Sequence, residues 1–192
     1  MLIALTGPAQ IGKTTTARAL RDVCGPTKIV SFADPLYAML DACGVPRHSL
    51  KHEIHPAIGI TPREWMQRTG DHIRAMCGDR WFVDRALYVA RDFLSTRPRM
   101  VVIDDLRYDV EAAAVVSAGG FVVRLTGRDG HESRLGANAD HSSERGVHPR
   151  YVHASIGIGG LAPADVARVI LRTCDARATS RNGDPLTTSA SV

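Results

Sequence analysis

The chain has 192 residues, a formal net charge of +4 and a pI near 9.1, and 44% of its residues are hydrophobic. This length and composition suit one compact α/β domain, and no apolar run is long enough to cross a membrane. The apolar opening is too short for a secretory signal, and the four cysteines form no C-x-x-C pair. We therefore expect a cytoplasmic protein with reduced cysteines.

Hydrophobic periodicity and turn signals alternate strands with helices along the chain. The predicted strands are 2–6, 27–33, 99–105, 121–126 and 152–158, and the predicted helices are 15–23, 36–42, 62–76, 80–94, 110–118 and 163–174. This alternation predicts a mostly parallel five-stranded sheet with helices on both faces.

The first motif lies between the first strand and the first helix. Gly7 to Thr14 follows the spacing G-x-x-x-x-G-K-[ST] of a phosphate-binding loop (P-loop). Gly7 and Gly12 allow the backbone to curl so that successive amides point at phosphate oxygens. Lys13 can follow the β- and γ-phosphates, and the Thr14 hydroxyl can bind Mg²⁺.

The second predicted strand ends at Asp34-Pro35, which we expect to lie beside the P-loop at the same edge of the sheet. Asp34 could orient an acceptor hydroxyl or a magnesium-bound water. It is equally suited to capping the following helix. The sequence leaves both roles open.

The segment 44–59 has no hydrophobic periodicity, and its histidines lack the spacing of a metal site. Thr61 to Glu64 forms a capping box with proline at the first helical position. About sixty-five mostly helical residues separate the second and third strands, too many for one crossover helix. We expect the extra helices, at about 36–97, to form a substrate-side insertion.

The third predicted strand is buried and ends in Asp104-Asp105, the pattern called Walker B. A carboxylate there holds the Mg²⁺ shell next to the threonine of the P-loop. The two aspartates compete for that role, and the sequence leaves the choice between them open. Arg107 and Glu111 follow within about one helical turn.

Two later segments lack the hydrophobic periodicity of helices or strands that pack into a core. The stretch at about 127–150 is polar and predicts a lid-like loop, in which Arg128, Arg134, Arg145 or Arg150 could neutralise a transferring phosphoryl group. Residues 176–192 predict a flexible tail after a single domain at 1–175.

An ordered set of short stretches resembles the phage-type deoxynucleoside monophosphate kinases, which are P-loop kinases. The stretches are 32–36 (FADPL), 61–63 (TPR), 66–70 (MQRTG), Arg74, 81–83 (WFV), 105–108 (DLRY), 111–112 (EA) and 141–144 (HSSE). The resemblance covers roughly residues 1–146. It implies a three-layer P-loop kinase fold and transfer of the ATP γ-phosphate, with Mg²⁺, to a deoxynucleoside 5′-monophosphate.

The P-loop motif, the predicted lid and the resemblance together give candidate residues for each role, with Thr14 and Asp105 as the metal candidates. Those for ATP binding are Gly7, Gln10, Ile11, Gly12, Lys13, Thr14 and Thr15. Those for the acceptor are Asp34, Arg63, Gln67, Arg74, Arg107 and Glu111. The catalytic candidates are Lys13, Asp34 and Arg128.

Two other functions stay open at the level of sequence. A P-loop kinase acting on hydroxymethylated bases in phage DNA would need Asp34 as a base, and the mild basic excess favours it slightly. A nucleotide-dependent binding module would need no acceptor at all. The expected partners are small-molecule nucleotides, with nucleic acid under the first alternative and no membrane, and a homodimer is compatible with the sequence.

Overall fold

The computed structural model describes residues 1–47, 49, 51–96, 100–127 and 146–182. These residues form five strands and six α-helices. In chain order they are β1 (Leu2–Thr6), α1 (Lys13–Cys24), β2 (Thr27–Val30), α2 (Asp34–Ala42), α3 (Pro62–Cys77), α4 (Trp81–Thr96), β3 (Met100–Ile103), α5 (Asp109–Ser117), β4 (Phe121–Thr126), β5 (Ala154–Gly157) and α6 (Pro163–Asn182), with a 3-10 turn at Pro149–Tyr151.

All five strands are parallel, in the order β2-β3-β1-β4-β5. The chain leaves β1 toward β2 and β3 on one side and then crosses to β4 and β5 on the other. This reversal opens a crevice at the carboxyl ends of β1 and β3, where ligands bind in open α/β sheets. The loop after β1 and the aspartates after β3 meet there, as the sequence predicted.

The sheet is covered on both faces, which makes three layers. Leu2 and Ala4 of β1 point into one apolar core, which also contains Phe82 and Leu87 of α4. Ile3 and Leu5 point into the other, against α1 and α6. This alternation follows from the two-residue period of a strand, and both faces are apolar because both are buried.

Several element bounds differ from prediction, and for β2 and α2 the structure shows the physical reason. β2 ends at Val30 rather than residue 33, because the amides of Phe32 and Ala33 donate to the Asp105 carboxylate and leave the strand ladder. α2 begins at Asp34 rather than residue 36, with Pro35 in its first turn. β5 is shorter than predicted, at Ala154–Gly157.

The last helix, α6, continues to Asn182 instead of ending at Cys174, so it includes residues 176–182 of the predicted tail. The added residues include alanines and arginines, which are good helix formers. Residues 183–192, most of the predicted lid and the stretch 141–144 lie outside the described residues. Within the described ranges, no helix is both long and apolar enough to span a bilayer.

Candidate active site

The P-loop connects β1 to α1 and carries the strained backbone that its motif requires. Gly7, Gln10 and Gly12 all have positive φ, at 136°, 62° and 95°. A side chain at Gly7 would place its Cβ 2.5 Å from the carbonyl oxygen of Leu125 on β4. Glycine is therefore required at this position both by conformation and by space.

Lys13 is the first residue of α1, and its side chain folds back over the loop. Its Nζ donates hydrogen bonds to the carbonyl oxygens of Gly7 and Pro8, both at 2.7 Å. Only 8% of the residue is exposed, yet it lines the cavity described below. An ammonium group is thus held at the mouth of a loop whose geometry suits polyphosphate binding.

The two aspartates after β3 point in different directions. Asp104 Oδ2 accepts a hydrogen bond from the Thr14 hydroxyl at 2.7 Å, and Oδ1 accepts one from the Ser31 hydroxyl at 2.6 Å. Asp105 instead accepts the backbone amides of Phe32 and Ala33 at 2.8 and 3.0 Å. The carboxylate next to the P-loop threonine is therefore that of Asp104, whereas the sequence had pointed to Asp105.

Hydrogen bonds hold both oxygens of the Asp34 carboxylate in place. Its Oδ2 accepts from the Ser31 amide at 2.9 Å, and its Oδ1 accepts from Arg47 Nη1 at 2.7 Å. Ala33, not Asp34, holds the N-cap position of α2. Because both carboxylate oxygens are engaged and the side chain does not line the cavity, this geometry does not support the predicted catalytic role.

The crevice contains a cavity of about 780 Å³ that runs from the P-loop to α2, α3 and α5. Among the described residues, its lining is strongly cationic, with three acidic side chains, those of Asp104, Asp105 and Glu111, opposing the positive charge. The cations are Lys13, Arg18, Arg47, Lys51, Arg63, Arg74 and Arg107. Such a cavity attracts anions and focuses positive potential within a low-dielectric wall.

Most predicted site residues come together here. Those that line the cavity are Gln10, Gly12, Lys13, Thr14, Thr15, Arg63, Gln67, Arg74, Asp105, Arg107 and Glu111. Gly7 and Ile11 belong to the loop without lining the cavity. Arg128, Arg134 and Arg145 lie outside the described residues, and Arg150 is exposed on the 3-10 turn.

Three side chains hold the Arg74 guanidinium in the wall of the cavity. Its guanidinium lies 4.3 Å from the centre of the Tyr108 ring and 4.9 Å from that of Phe82, and it pairs with Asp71 at 3.6 Å. Stacking on aromatic rings holds a guanidinium in place while its edge stays available for hydrogen bonds. This is the arrangement of a preorganised anion receptor.

Glu111 is a buried carboxyl group in the wall of the same cavity, with 3% of the residue exposed. Its Oε2 accepts the backbone amides of Arg107 and Tyr108 at 2.8 and 3.0 Å. Burial, followed by the nearby charge of Asp105, raises the pKa of Glu111 to about 8. Burial and the charge of Asp104 raise the pKa of Asp105 to about 6. Glu111 is therefore mainly protonated at neutral pH.

Sequence reasoning missed a basic cluster on the segment between α2 and α3. The Arg47 guanidinium lies 4.0 Å from the centre of the Tyr37 ring, and Lys51 Nζ donates to the Tyr37 hydroxyl at 2.6 Å. Arg18, one helical turn after Thr14, was missed as well. Basic residues in a loop without periodicity carry no local signal, so only their position in the fold reveals them.

No family model and no curated protein sequence matches this chain. Solved structures do match. A proposed kinase from Chloroflexus aurantiacus aligns with a TM-score of 0.52 at 15% identity, covering 91% of this chain and 96% of that one. The chain has a P-loop kinase fold.

Two further structures align over similar lengths. Shikimate kinase from Aquifex aeolicus has a TM-score of 0.48 at 16% identity, over 93% of this chain and 98% of that one. The tunicamycin resistance protein of Deinococcus radiodurans has a TM-score of 0.49 at 16% identity, over 90% and 94%. At such identities, the likeness extends to the fold and no further.

Proposed function

We propose that this protein, which has a P-loop kinase fold, transfers the γ-phosphate of ATP to a deoxynucleoside 5′-monophosphate. One observation carries the proposal. A single cavity is lined both by Lys13 and Thr14 of the P-loop and by Arg63 and Arg74 of α3, which we call the acceptor side. A nucleotide donor held by the P-loop would therefore share its cavity with an anionic acceptor held by the arginines of α3.

The residues present suit Mg²⁺ and ATP. Magnesium prefers oxygen ligands and is usually held by one or two protein groups together with substrate phosphates. The Thr14 hydroxyl and the Asp104 carboxylate provide such oxygens, 2.7 Å apart. We therefore propose that Thr14 and Asp104, and not Asp105, hold the magnesium ion, and we call these two residues the metal side. Bound there, Mg²⁺ would neutralise charge on the β- and γ-phosphates.

The arginines of the acceptor side favour an acceptor substrate that itself carries a phosphate group. Such an acceptor is already anionic and requires no strong general base, which agrees with the engagement of Asp34 by Arg47 and Ser31. Arg74, stacked between two rings, can clamp the acceptor phosphate, with Arg63 nearby in the lining. Catalysis then consists of positioning and charge neutralisation.

A single assay tests the proposal and its rivals. The protein is incubated with labelled ATP and Mg²⁺ and offered each deoxynucleoside monophosphate, then duplex DNA containing hydroxymethylated bases, then water alone. We expect label to pass to at least one free monophosphate. Transfer only to DNA, or ATP hydrolysis without transfer, would replace this proposal by the DNA kinase or by the binding module.

Lys13→Ala should lower transfer about 10²- to 10³-fold, the usual loss on removing one preorganised charge-stabilising donor. Lys28→Ala is the matched control, since Lys28 lies on β2 and does not line the cavity. Circular dichroism should show that both variants fold. Near-normal turnover by Lys13→Ala would refute the assignment of Lys13.

A further inference from the structure

A continuous chain of side-chain hydrogen bonds connects Arg47 to the P-loop. Arg47 Nη2 donates to the Ser31 hydroxyl at 3.2 Å, and Ser31 donates to Asp104 Oδ1 at 2.6 Å. The Thr14 hydroxyl donates to the other oxygen of Asp104 at 2.7 Å. Four side chains from α1, the end of β2, the end of β3 and the α2–α3 segment are thus linked in series.

The direction of the bonds in this chain is fixed by chemistry. Asp104 is an acceptor and Arg47 has no acceptor, so the single hydroxyl proton of Ser31 goes to Asp104 while its oxygen accepts from Arg47. Ser31 and Asp104 are 5% and 6% exposed, so these bonds lie in a low-dielectric region where charge strengthens them.

Arg47 is held firmly at the outer end of the chain. Besides Ser31, its guanidinium contacts the Asp34 carboxylate at 2.7 Å and stacks on the Tyr37 ring at 4.0 Å. Its side chain is nevertheless 56% exposed, and it lines the cavity on the side of α2 and α3. A cation outside the P-loop is therefore linked, through the Ser31 hydroxyl, to the carboxylate beside Thr14.

We propose that Ser31 is a positioning residue for the metal-side carboxylate Asp104, and that Arg47 acts on the metal side through Ser31. The inference rests on the proposed function only in expecting Mg²⁺ and nucleotide at Thr14 and Asp104. Ser31 fixes which oxygen of Asp104 faces Thr14, and the Arg47 charge polarises the Ser31 hydroxyl. The contribution of Mg²⁺ to nucleotide binding thus depends on an arginine outside the P-loop.

Calorimetric titration with a non-hydrolysable ATP analogue, with and without Mg²⁺, tests this. The readout is the dissociation constant measured without Mg²⁺ divided by the one measured with Mg²⁺. This ratio reports how much the metal contributes to nucleotide binding, and a general loss of stability would not change it selectively. Ser31→Ala should lower the ratio about tenfold, as expected for a residue that supports a metal ligand, while Ser31→Thr should keep it near the wild-type value.

Arg47→Ala should lower the same ratio about threefold, the usual effect of losing one hydrogen bond. The double variant should be no worse than Ser31→Ala, because Arg47 acts through Ser31. Thr27→Val is the matched control. It removes a hydroxyl from the first residue of β2, the strand that ends just before Ser31. The Thr27 Oγ1 has no hydrogen-bond partner among the described residues, so the ratio should stay unchanged.

An unchanged ratio in Ser31→Ala, fully additive losses in the double variant, or an equal loss in Thr27→Val would each overturn the proposal. Should Ser31→Ala fail to fold, Arg47→Ala decides alone, because it alters an exposed side chain, and an unchanged ratio there overturns the coupling. The titration uses no acceptor. A chain that fails to phosphorylate deoxynucleoside monophosphates still gives a decisive result.

Discussion

The buried carboxyl group of Glu111 makes stability depend on pH in an unusual direction. Its pKa is about 8 in the folded chain, against 4.5 as its ordinary value. Below pH 4.5 the group is protonated in both the folded and the unfolded states. Between pH 4.5 and 8 the unfolded chain releases the proton while the folded chain keeps it, so the free energy of unfolding falls as pH rises.

The size of this effect follows from the same two values. At 1.36 kcal/mol per pKa unit, the difference corresponds to an upper limit of roughly 5 kcal/mol, reached above pH 8. Glu111→Gln mimics the protonated form, since its amide oxygen can still accept from the Arg107 and Tyr108 amides. The variant should match the wild type near pH 4.5 and become progressively more stable than it toward pH 8.

Urea unfolding of both proteins at pH values from 5 to 8.5 measures this difference. Glu53→Gln, at an exposed position on the α2–α3 segment, is the matched control and should follow the wild type throughout. Asp105, whose pKa is also raised, is present in all three proteins, so the comparison does not depend on removing it. Parallel curves for Glu111→Gln and the wild type would refute the conclusion that Glu111 is buried and protonated.

Three further substitutions test the P-loop and the two aspartates after β3. Gly7→Ala forces a side chain into φ 136° and against the Leu125 carbonyl, so it should cost at least about 1–3 kcal/mol of stability and weaken ATP binding, measured by thermal melting and calorimetry. Asp104→Asn should lower the Mg²⁺-dependent part of nucleotide binding about 10- to 100-fold, measured by titration with and without the metal. Asp105→Asn should leave that part intact and instead lower stability by about 1–3 kcal/mol, because one amide of the β2–α2 turn loses its acceptor.

Each of these substitutions has a clear comparison. Gly25→Ala also places alanine at a positive φ, but its Cβ would meet no atom within 4 Å, so Gly7→Ala, with its more extreme φ and its contact with Leu125, should lose more stability. Asp104→Asn and Asp105→Asn control for each other. Equal effects of the two on magnesium dependence would contradict the distinction drawn between them.

Much of the framework could be predicted because its signals are local. β1 and β4 have the predicted bounds. The helix α3 begins where the capping box indicates, with the Thr61 hydroxyl accepting from the Glu64 amide at 3.1 Å. Such signals act within four residues, so they can be read directly from the sequence.

Roles that depend on contacts between distant segments could not be assigned in this way. Adjacent residues Asp104 and Asp105 are chemically identical, and only the twist of the chain leaving β3 decides which one meets Thr14. Arg47 became a site residue only because the α2–α3 segment folds back over the end of β2.

The sequence by itself determined a parallel sheet, a P-loop and a helical insertion that carries arginines, since periodicity, glycine spacing and residue type are local properties. Only the tertiary structure decided which carboxylate faces the P-loop threonine, that Asp34 is occupied by Arg47, and that Glu111 is buried enough to hold its proton. Those outcomes depend on burial and on distances between segments up to ninety residues apart in the chain, and no local pattern encodes them.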